Sequence, residues 1–134
     1  MKRLVLILTL ILLTSCSSNY VEINNEKIQV ELAITNEEKQ LGLMFREPLC
    51  ENCGMLFVYE DDKKRNFWMQ NTFIPLDMVF IDSNFTIVNL IKADPCFESI
   101  CTVYSSGAKA RFVLETNQGK FNQTLVGEKV KINT

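Results

Sequence analysis

Turn-forming residues divide the sequence into short apolar runs, and this spacing restricts the chain to a small set of folds. Residues 20–23 and 28–34 alternate apolar and polar side chains around Asn24-Asn25-Glu26-Lys27, which predicts a half-buried β-hairpin. Further strands are predicted at residues 55–59, 65–69, 76–81, 85–91, 111–115 and 129–132. Because many short strands with turns between them are typical of all-β domains, we expect a mainly β fold, either a small β-sandwich or a partly open barrel.

One short helix is expected after the first two strands. Thr35 followed by Glu38 has the form of a capping box, in which each residue satisfies a free amide of the first turn. Gly42 weakens the continuation of this helix and Pro48 forbids it. The charged run at residues 61–64 predicts a turn between the strands at residues 55–59 and 65–69.

Composition excludes several classes of function. The chain has 134 residues, a formal charge of −2 and no histidine, so it has no Ser-His-Asp or Cys-His catalytic pair and no histidine-ligated metal. The 14 lysines and arginines are scattered along the sequence, which argues against a nucleic-acid partner. The length fits a single domain.

The N-terminus has the layout of a secretory signal peptide. Lys2 and Arg3 precede an apolar run at residues 4–13, which covers about half of the hydrocarbon core of a bilayer and is too short for a stable membrane span. Leu13-Thr14-Ser15-Cys16 then resembles the lipobox of bacterial lipoproteins. This resemblance implies cleavage before Cys16, acylation of Cys16, and a domain that is anchored to a membrane and faces the periplasm or the exterior. The alternative is an ordinary signal peptide followed by a free Cys16.

The same resemblance gives the expected division of the chain. Residues 1–15 form the signal peptide, residues 16–24 the lipidated tether and first strand, and residues 25–134 a single β-domain. Ser17, rather than an aspartate, follows the cysteine, which resembles the arrangement of lipoproteins that reach the outer membrane. We therefore expect the outer membrane if the organism has one.

Export changes how the remaining cysteines are interpreted. Cys50, Cys53, Cys96 and Cys101 are an even number of thiols outside the cytoplasm, which favours disulfides, with three connectivities open. A redox role for Cys50-Glu51-Asn52-Cys53 is disfavoured because a strand-like run follows and Glu51 opposes a thiolate. A four-cysteine zinc site also fits the count, but oxidation competes with metal loading in an exported protein.

Candidate ligand-binding residues lie in and before the run at residues 76–81. Asp77 shares a strand face with apolar Val79 and Ile81, so its carboxylate needs partners if it is buried. It either stands at a pocket or binds backbone amides and pins the loop at residues 71–75. Trp68 is either a stacking platform or a core residue. Arg46, Asn71 and Thr72 complete the candidate ligand-binding set with Trp68 and Asp77.

Two further interpretations concern catalysis and metals. An enzyme without histidine would depend on carboxylates alone, for instance Asp77 with Glu115. The methionines invite a Cu(I) site because thioethers are soft ligands, but their spacing lacks a close Met-x-x-Met cluster. Flexible core filling explains them more simply, so we predict no metal and no cofactor. The residues concerned are Met44, Met55, Met69 and Met78.

Several short motifs together resemble the DUF192 family, also called uncharacterised protein family 0127. They include Leu41-Gly42-Leu43-Met44-Phe45-Arg46, Gly54-Met55-Leu56-Phe57, Phe67-Trp68-Met69-Gln70-Asn71-Thr72, Pro75-Leu76-Asp77, Pro95-Cys96, Cys101, Tyr104 and Val113-Leu114-Glu115. The resemblance implies a small β-sandwich or barrel, often exported, of undetermined biochemical role. Cys50 and Cys53 depart from the family pattern, so a site built on them would be specific to this chain.

The sequence therefore predicts a membrane-anchored lipoprotein whose β-domain binds a small or extended ligand without catalysis. The expected partners are a membrane, through the lipid on Cys16, and a small molecule, glycan or peptide. The alternatives are a carboxylate-dependent hydrolase of the cell envelope and a structural envelope component without a ligand.

Overall fold

A computed structural model describes residues 18–134, and these form one seven-stranded sheet. The predicted signal peptide and the lipidated Cys16 lie outside the described residues. The strands are β1 (Tyr20–Ile23), β2 (Glu26–Ala33), β3 (Cys53–Phe67), β4 (Leu76–Ile81), β5 (Ile87–Ala93), β6 (Tyr104–Asn117) and β7 (Lys131–Asn133), with a helix α1 (Asn36–Leu41) and a 3-10 turn (Gln123–Leu125). No helix within residues 18–134 is long and apolar enough to cross a bilayer.

The sheet has the strand order β5-β4-β6-β3-β2-β1-β7 and curls into a half-barrel. β2 and β3 run parallel, with α1 in the connection between them, and the other neighbouring strands are antiparallel. Asn24 and Asn25 both have positive φ, of 48° and 65°, which suits the tight turn of the β1–β2 hairpin. The prediction of a mainly β fold, a partly open barrel with one short helix, is confirmed.

Helix α1 begins and ends where its sequence signals place it. The Thr35 side chain accepts a hydrogen bond from the Glu38 amide at 3.2 Å, and the Glu38 carboxylate accepts one from the Thr35 amide at 2.9 Å. Gly42 ends the helix with φ 46°, and its amide donates to the Glu38 carbonyl. The capping box is therefore present in full.

The predicted turn at residues 61–64 is wrong, because β3 continues through it as one 15-residue strand. Its pairing with β6 shifts register between Val58 and Lys63, so the charged residues form a bulge rather than a turn. The Asp61 carboxylate accepts hydrogen bonds from the side chains of Lys63 and Arg65. These two cations lower the pKa of the Asp61 carboxyl to about 2. The Arg65 guanidinium also lies 3.8 Å from the centre of the Tyr59 ring.

Apolar side chains cover both faces of the sheet. Leu114 of β6 is the register partner of Leu56 and Val79, and these three belong to one core. Val113 is the register partner of Phe57 and Phe80, and they belong to the other. Successive residues of a strand alternate faces, and both faces are covered here, so all six residues of β4, which lies between β5 and β6, are buried.

Candidate functional site

Glu115 of β6 is a carboxylic acid beside the core that contains Phe57, Phe80 and Val113. Its register partners are Met55 on β3 and Met78 on β4, so two methionines flank it on the same face of the sheet. Only 4% of Glu115 is exposed, and this burial raises the pKa of its carboxyl to about 8. Among the described residues neither a hydrogen bond nor a nearby charge contributes to that shift. Glu115 is therefore a neutral acid at pH 7 without a partner in the fold.

A small cavity of about 30 Å³ borders Glu115 between the end of α1 and the sheet. Its volume is enough for one or two water-sized groups. The wall consists of Lys39, Gln40, Leu41, Gly42, Leu43, Met44, Phe57, Phe67, Trp68, Thr72 and Glu115. Lys39 lies with its ammonium 4.5 Å from the centre of the Tyr59 ring, and burial raises the pKa of the Tyr59 phenol.

Two of the predicted ligand-binding residues meet at this cavity. Trp68 is 53% exposed, so it lies at the rim and is not the core aromatic that was the alternative. Thr72 is buried, and its hydroxyl donates to the Gln70 carbonyl at 3.2 Å. Both residues follow β3 in the connection to β4.

Arg46 and Asn71 lie nearby but do not line the cavity. The Arg46 guanidinium donates two hydrogen bonds of 2.8 Å to the Glu31 carboxylate, which raises the pKa of Arg46 and lowers that of Glu31. Asn71 has φ 54°, and its carbonyl accepts from the Phe45 amide at 2.8 Å. These residues brace the loops around the cavity rather than facing into it.

Asp77 lies on the opposite face of the sheet, because its register partner on β6 is Thr116 rather than Glu115. Its Oδ2 accepts from the amides of Gly119 at 3.0 Å and Phe121 at 2.8 Å, while its buried Oδ1 has no partner. The interpretation that Asp77 binds backbone amides is correct, but the loop it holds is at residues 119–121, not 71–75. The register also separates Asp77 from Glu115, so the acid–base pair considered for these two carboxyls does not form.

Both disulfides join neighbours in the sequence. Cys50 bonds to Cys53, and Cys96 bonds to Cys101, with Cα atoms 5.0 and 5.8 Å apart. Disulfides rather than a four-cysteine zinc site therefore account for these residues. Within residues 18–134 no three His, Cys, Asp or Glu side chains are grouped to hold a metal ion.

An exposed aromatic row was not predicted. The Phe73 ring lies 6.2 Å from both Phe45 and Phe97, centre to centre, and Phe97 is 79% exposed. The Cys96–Cys101 disulfide holds the loop that carries Phe97 and Ile100. In the sequence, the signal of this exposed row is the presence of large apolar residues in loops, next to proline and charged residues.

The chain is similar to a family described as uncharacterized. The DUF192 family, described as uncharacterized ACR, matches residues 19–133. A UPF0127 protein of Pyrococcus horikoshii is 27% identical over 93 residues, which is 68% of this chain and 74% of the relative.

Two solved structures share the fold. A proposed transcription regulator from Sinorhizobium meliloti has a TM-score of 0.74 and 30% identity, covering 85% of this chain and 91% of the other. A protein of unknown function from Novosphingobium aromaticivorans has a TM-score of 0.72 and 30% identity, covering 85% and 83%.

Proposed function

The chain belongs to the DUF192 family of uncharacterized proteins, and from this premise we propose that it is an exported lipoprotein whose β-domain binds a small ligand at the Glu115 cavity without catalysis. The lipid on Cys16 anchors it to a bacterial membrane. The single observation that carries the binding function is the Glu115 carboxyl, which is buried beside a cavity and lacks a partner in the fold.

A buried polar group destabilises a protein unless it is paired, so nearly all such groups in native structures have a partner. Glu115 has none among residues 18–134, yet it borders a space into which one can enter. Trp68 lies half-exposed at the rim, where an incoming group passes it. A small ligand that enters the cavity and pairs with the carboxyl removes the cost of leaving this buried group unpaired.

Binding is better supported than hydrolysis. A two-carboxylate mechanism needs both carboxyl groups at one substrate, and Asp77 lies on the face of the sheet opposite to Glu115. Nucleic-acid binding has no electrostatic support, since the chain has 16 acidic residues against 14 basic ones.

The lipid anchor is tested by the mass of the native protein and by its partition between detergent and aqueous phases. Only three residues separate Cys16 from Tyr20 at the start of β1, so the tether spans at most about 14 Å and holds the domain close to the bilayer. We expect the native chain to begin at an acylated Cys16 and to enter the detergent phase, and Cys16→Ser to lose the acyl groups. An unmodified native chain that begins at Met1 in the soluble fraction would contradict the anchor.

The binding site is tested with Trp68, the only tryptophan of the chain, as a fluorescent reporter. Formate, formamide, methylammonium and Ag(I) serve as small probes of different charge. At least one probe should change the Trp68 emission saturably. Glu115→Leu should abolish that change by removing the polar partner.

Phe97→Ser is the matched control, because it removes an exposed aromatic that does not line the Glu115 cavity. It should bind the same probe with unchanged affinity. The proposed binding function is wrong if no probe saturates, or if Glu115→Leu, folded by circular dichroism, responds as the parent does.

A further inference from the structure

Large apolar side chains are exposed next to one another at the aromatic row, which consists of Phe45, Phe73 and Phe97. Neighbouring ring centres in this row lie 6.2 Å apart. Ile100 lies in the same disulfide-closed loop as Phe97 and is 84% exposed. Contiguous apolar exposure of this kind marks a surface that binds another protein or a membrane.

The backbone holds the aromatic row at the surface. The Cys96–Cys101 disulfide closes the loop that carries Phe97, which restricts this side chain from folding back into a core. Phe45 has φ 62°, a left-handed conformation that is unfavourable for a bulky residue, and its amide donates to the Asn71 carbonyl at 2.8 Å. Such strain persists only where surrounding contacts fix it, so the exposure of these rings is built into the fold.

The row begins close to the point at which the described chain starts. The Asn19 carbonyl accepts a hydrogen bond from the Val30 amide of β2 at 3.0 Å. Glu31 is the next residue of β2, and its carboxylate accepts two hydrogen bonds of 2.8 Å from the Arg46 guanidinium. Arg46 directly follows Phe45 in the chain. The lipidated tether therefore enters the sheet near the Phe45 end of the row.

The length of the tether brings this end of the row to the membrane. Cys16 lies two residues before Ser18, the first described residue, which allows a separation of at most about 7 Å. A lipid on Cys16 keeps the row within reach of the bilayer at all times. Because the tether makes contact between the row and the bilayer intramolecular, a small apolar surface is enough to hold it there.

The charges beside the row favour a zwitterionic lipid surface over an anionic one. Glu98 directly follows Phe97 and is exposed. The cation beside Phe45, Arg46, is already paired with Glu31. An acidic neighbour and a paired cation give no attraction for anionic headgroups. Binding at this surface therefore depends on the burial of apolar side chains in the headgroup region.

We propose that the aromatic row and Ile100 insert among the headgroups of the membrane to which Cys16 is anchored, and that this contact fixes the orientation of the domain on a zwitterionic lipid surface. This inference rests on the lipid anchor of the proposed function and deepens it. The lipid alone holds the domain near the bilayer but leaves it free to turn. A second, apolar contact selects one orientation.

The test uses the full acylated chain, with 4-fluorophenylalanine at its nine phenylalanines, in phosphatidylcholine nanodiscs that hold one chain each. Each fluorine-19 NMR signal is assigned by its loss in the corresponding Phe→Leu variant. Nitroxide-labelled phosphatidylcholine should broaden the signals of Phe45, Phe73 and Phe97 at least about threefold more than that of Phe85. Replacing part of the phosphatidylcholine with phosphatidylglycerol should not increase this ratio, and an increase would overturn the zwitterionic preference.

Phe85 is the matched comparison, because it is also exposed but stacks on Phe112 of the other core. It lies in the turn between β4 and β5, at the end of these strands opposite to Phe73 and Phe97. The double variant F97S/I100S should reduce the broadening of the other row signals at least about twofold, whereas F85S should leave it unchanged.

Three results would overturn the proposal. Equal broadening of the row and Phe85 signals in an acylated chain rejects the docking, while the lipid anchor stands. A Phe97 signal that stays sharp beside nitroxide lipid, but shifts when two chains share a disc, identifies a second copy of the chain as the occupant. A native chain without acyl groups on Cys16 that stays outside the discs rejects both the docking and the anchor.

Discussion

Glu115→Gln should raise the free energy of unfolding at pH 7.5 by about 2–4 kcal/mol. The pKa of Glu115 is raised to about 8 in the fold, from 4.5 in the unfolded chain. Between these values the folded state holds a proton that the unfolded state has released. The contribution of Glu115 to the free energy of unfolding is therefore fully present below about pH 4.5. It falls by up to about 1.4 kcal/mol per pH unit as the pH rises and levels off above about pH 8. Glutamine is neutral throughout and removes this loss.

The measurement is urea denaturation at several pH values between 5 and 8.5. The parent should lose stability steadily as the pH rises, and Glu115→Gln should lose much less. Glu60→Gln, a change at an exposed glutamate on β3, is the matched control and should follow the parent. Parallel curves for the parent and Glu115→Gln would mean that Glu115 ionises freely in the folded state.

Asp77→Ala should lower the free energy of unfolding by about 3–5 kcal/mol. The change leaves the amides of Gly119 and Phe121 without their acceptor and opens a cavity at a fully buried position. Asp77→Asn should lie between the parent and Asp77→Ala, because the asparagine oxygen still accepts from these amides. Denaturation gives the loss of stability, and faster hydrogen exchange at Gly119 and Phe121 locates it.

Asp94→Ala is the control for this series, because Asp94 is an exposed carboxylate and should change stability by less than about 1 kcal/mol. The folded fraction of Asp77→Asn should bind probes at the Glu115 cavity like the parent, since the two carboxyls lie on opposite faces of the sheet. A folded Asp77→Asn variant that loses probe binding would place Asp77 in the site after all.

Features that depend on neighbouring residues could be predicted from the sequence. The β1–β2 hairpin follows from alternation around two asparagines, and α1 follows from the Thr35 capping box and Gly42. Trp68 and Thr72 line the same cavity, which their positions in one short loop make predictable. Each of these signals acts within a few residues of chain.

Features that depend on pairing between distant strands could not be predicted in the same way. Asp77 binds amides 42 and 44 residues away, so no local pattern identifies the loop that it holds. The face occupied by Glu115 depends on its register with β3 and β4, and a shift of one residue would have placed it beside Asp77. The strand through residues 61–64 was missed because its charges are satisfied by side chains across a bulge.

The protonation state of Glu115 tests the account most directly. Carbon-13 NMR of the glutamate side-chain carboxyls, with the Glu115 signal assigned by its disappearance in Glu115→Gln, gives its titration midpoint. The account predicts a midpoint near pH 8. A midpoint near the ordinary glutamate value of about 4.3 would show a solvated, ionised carboxylate and would contradict it.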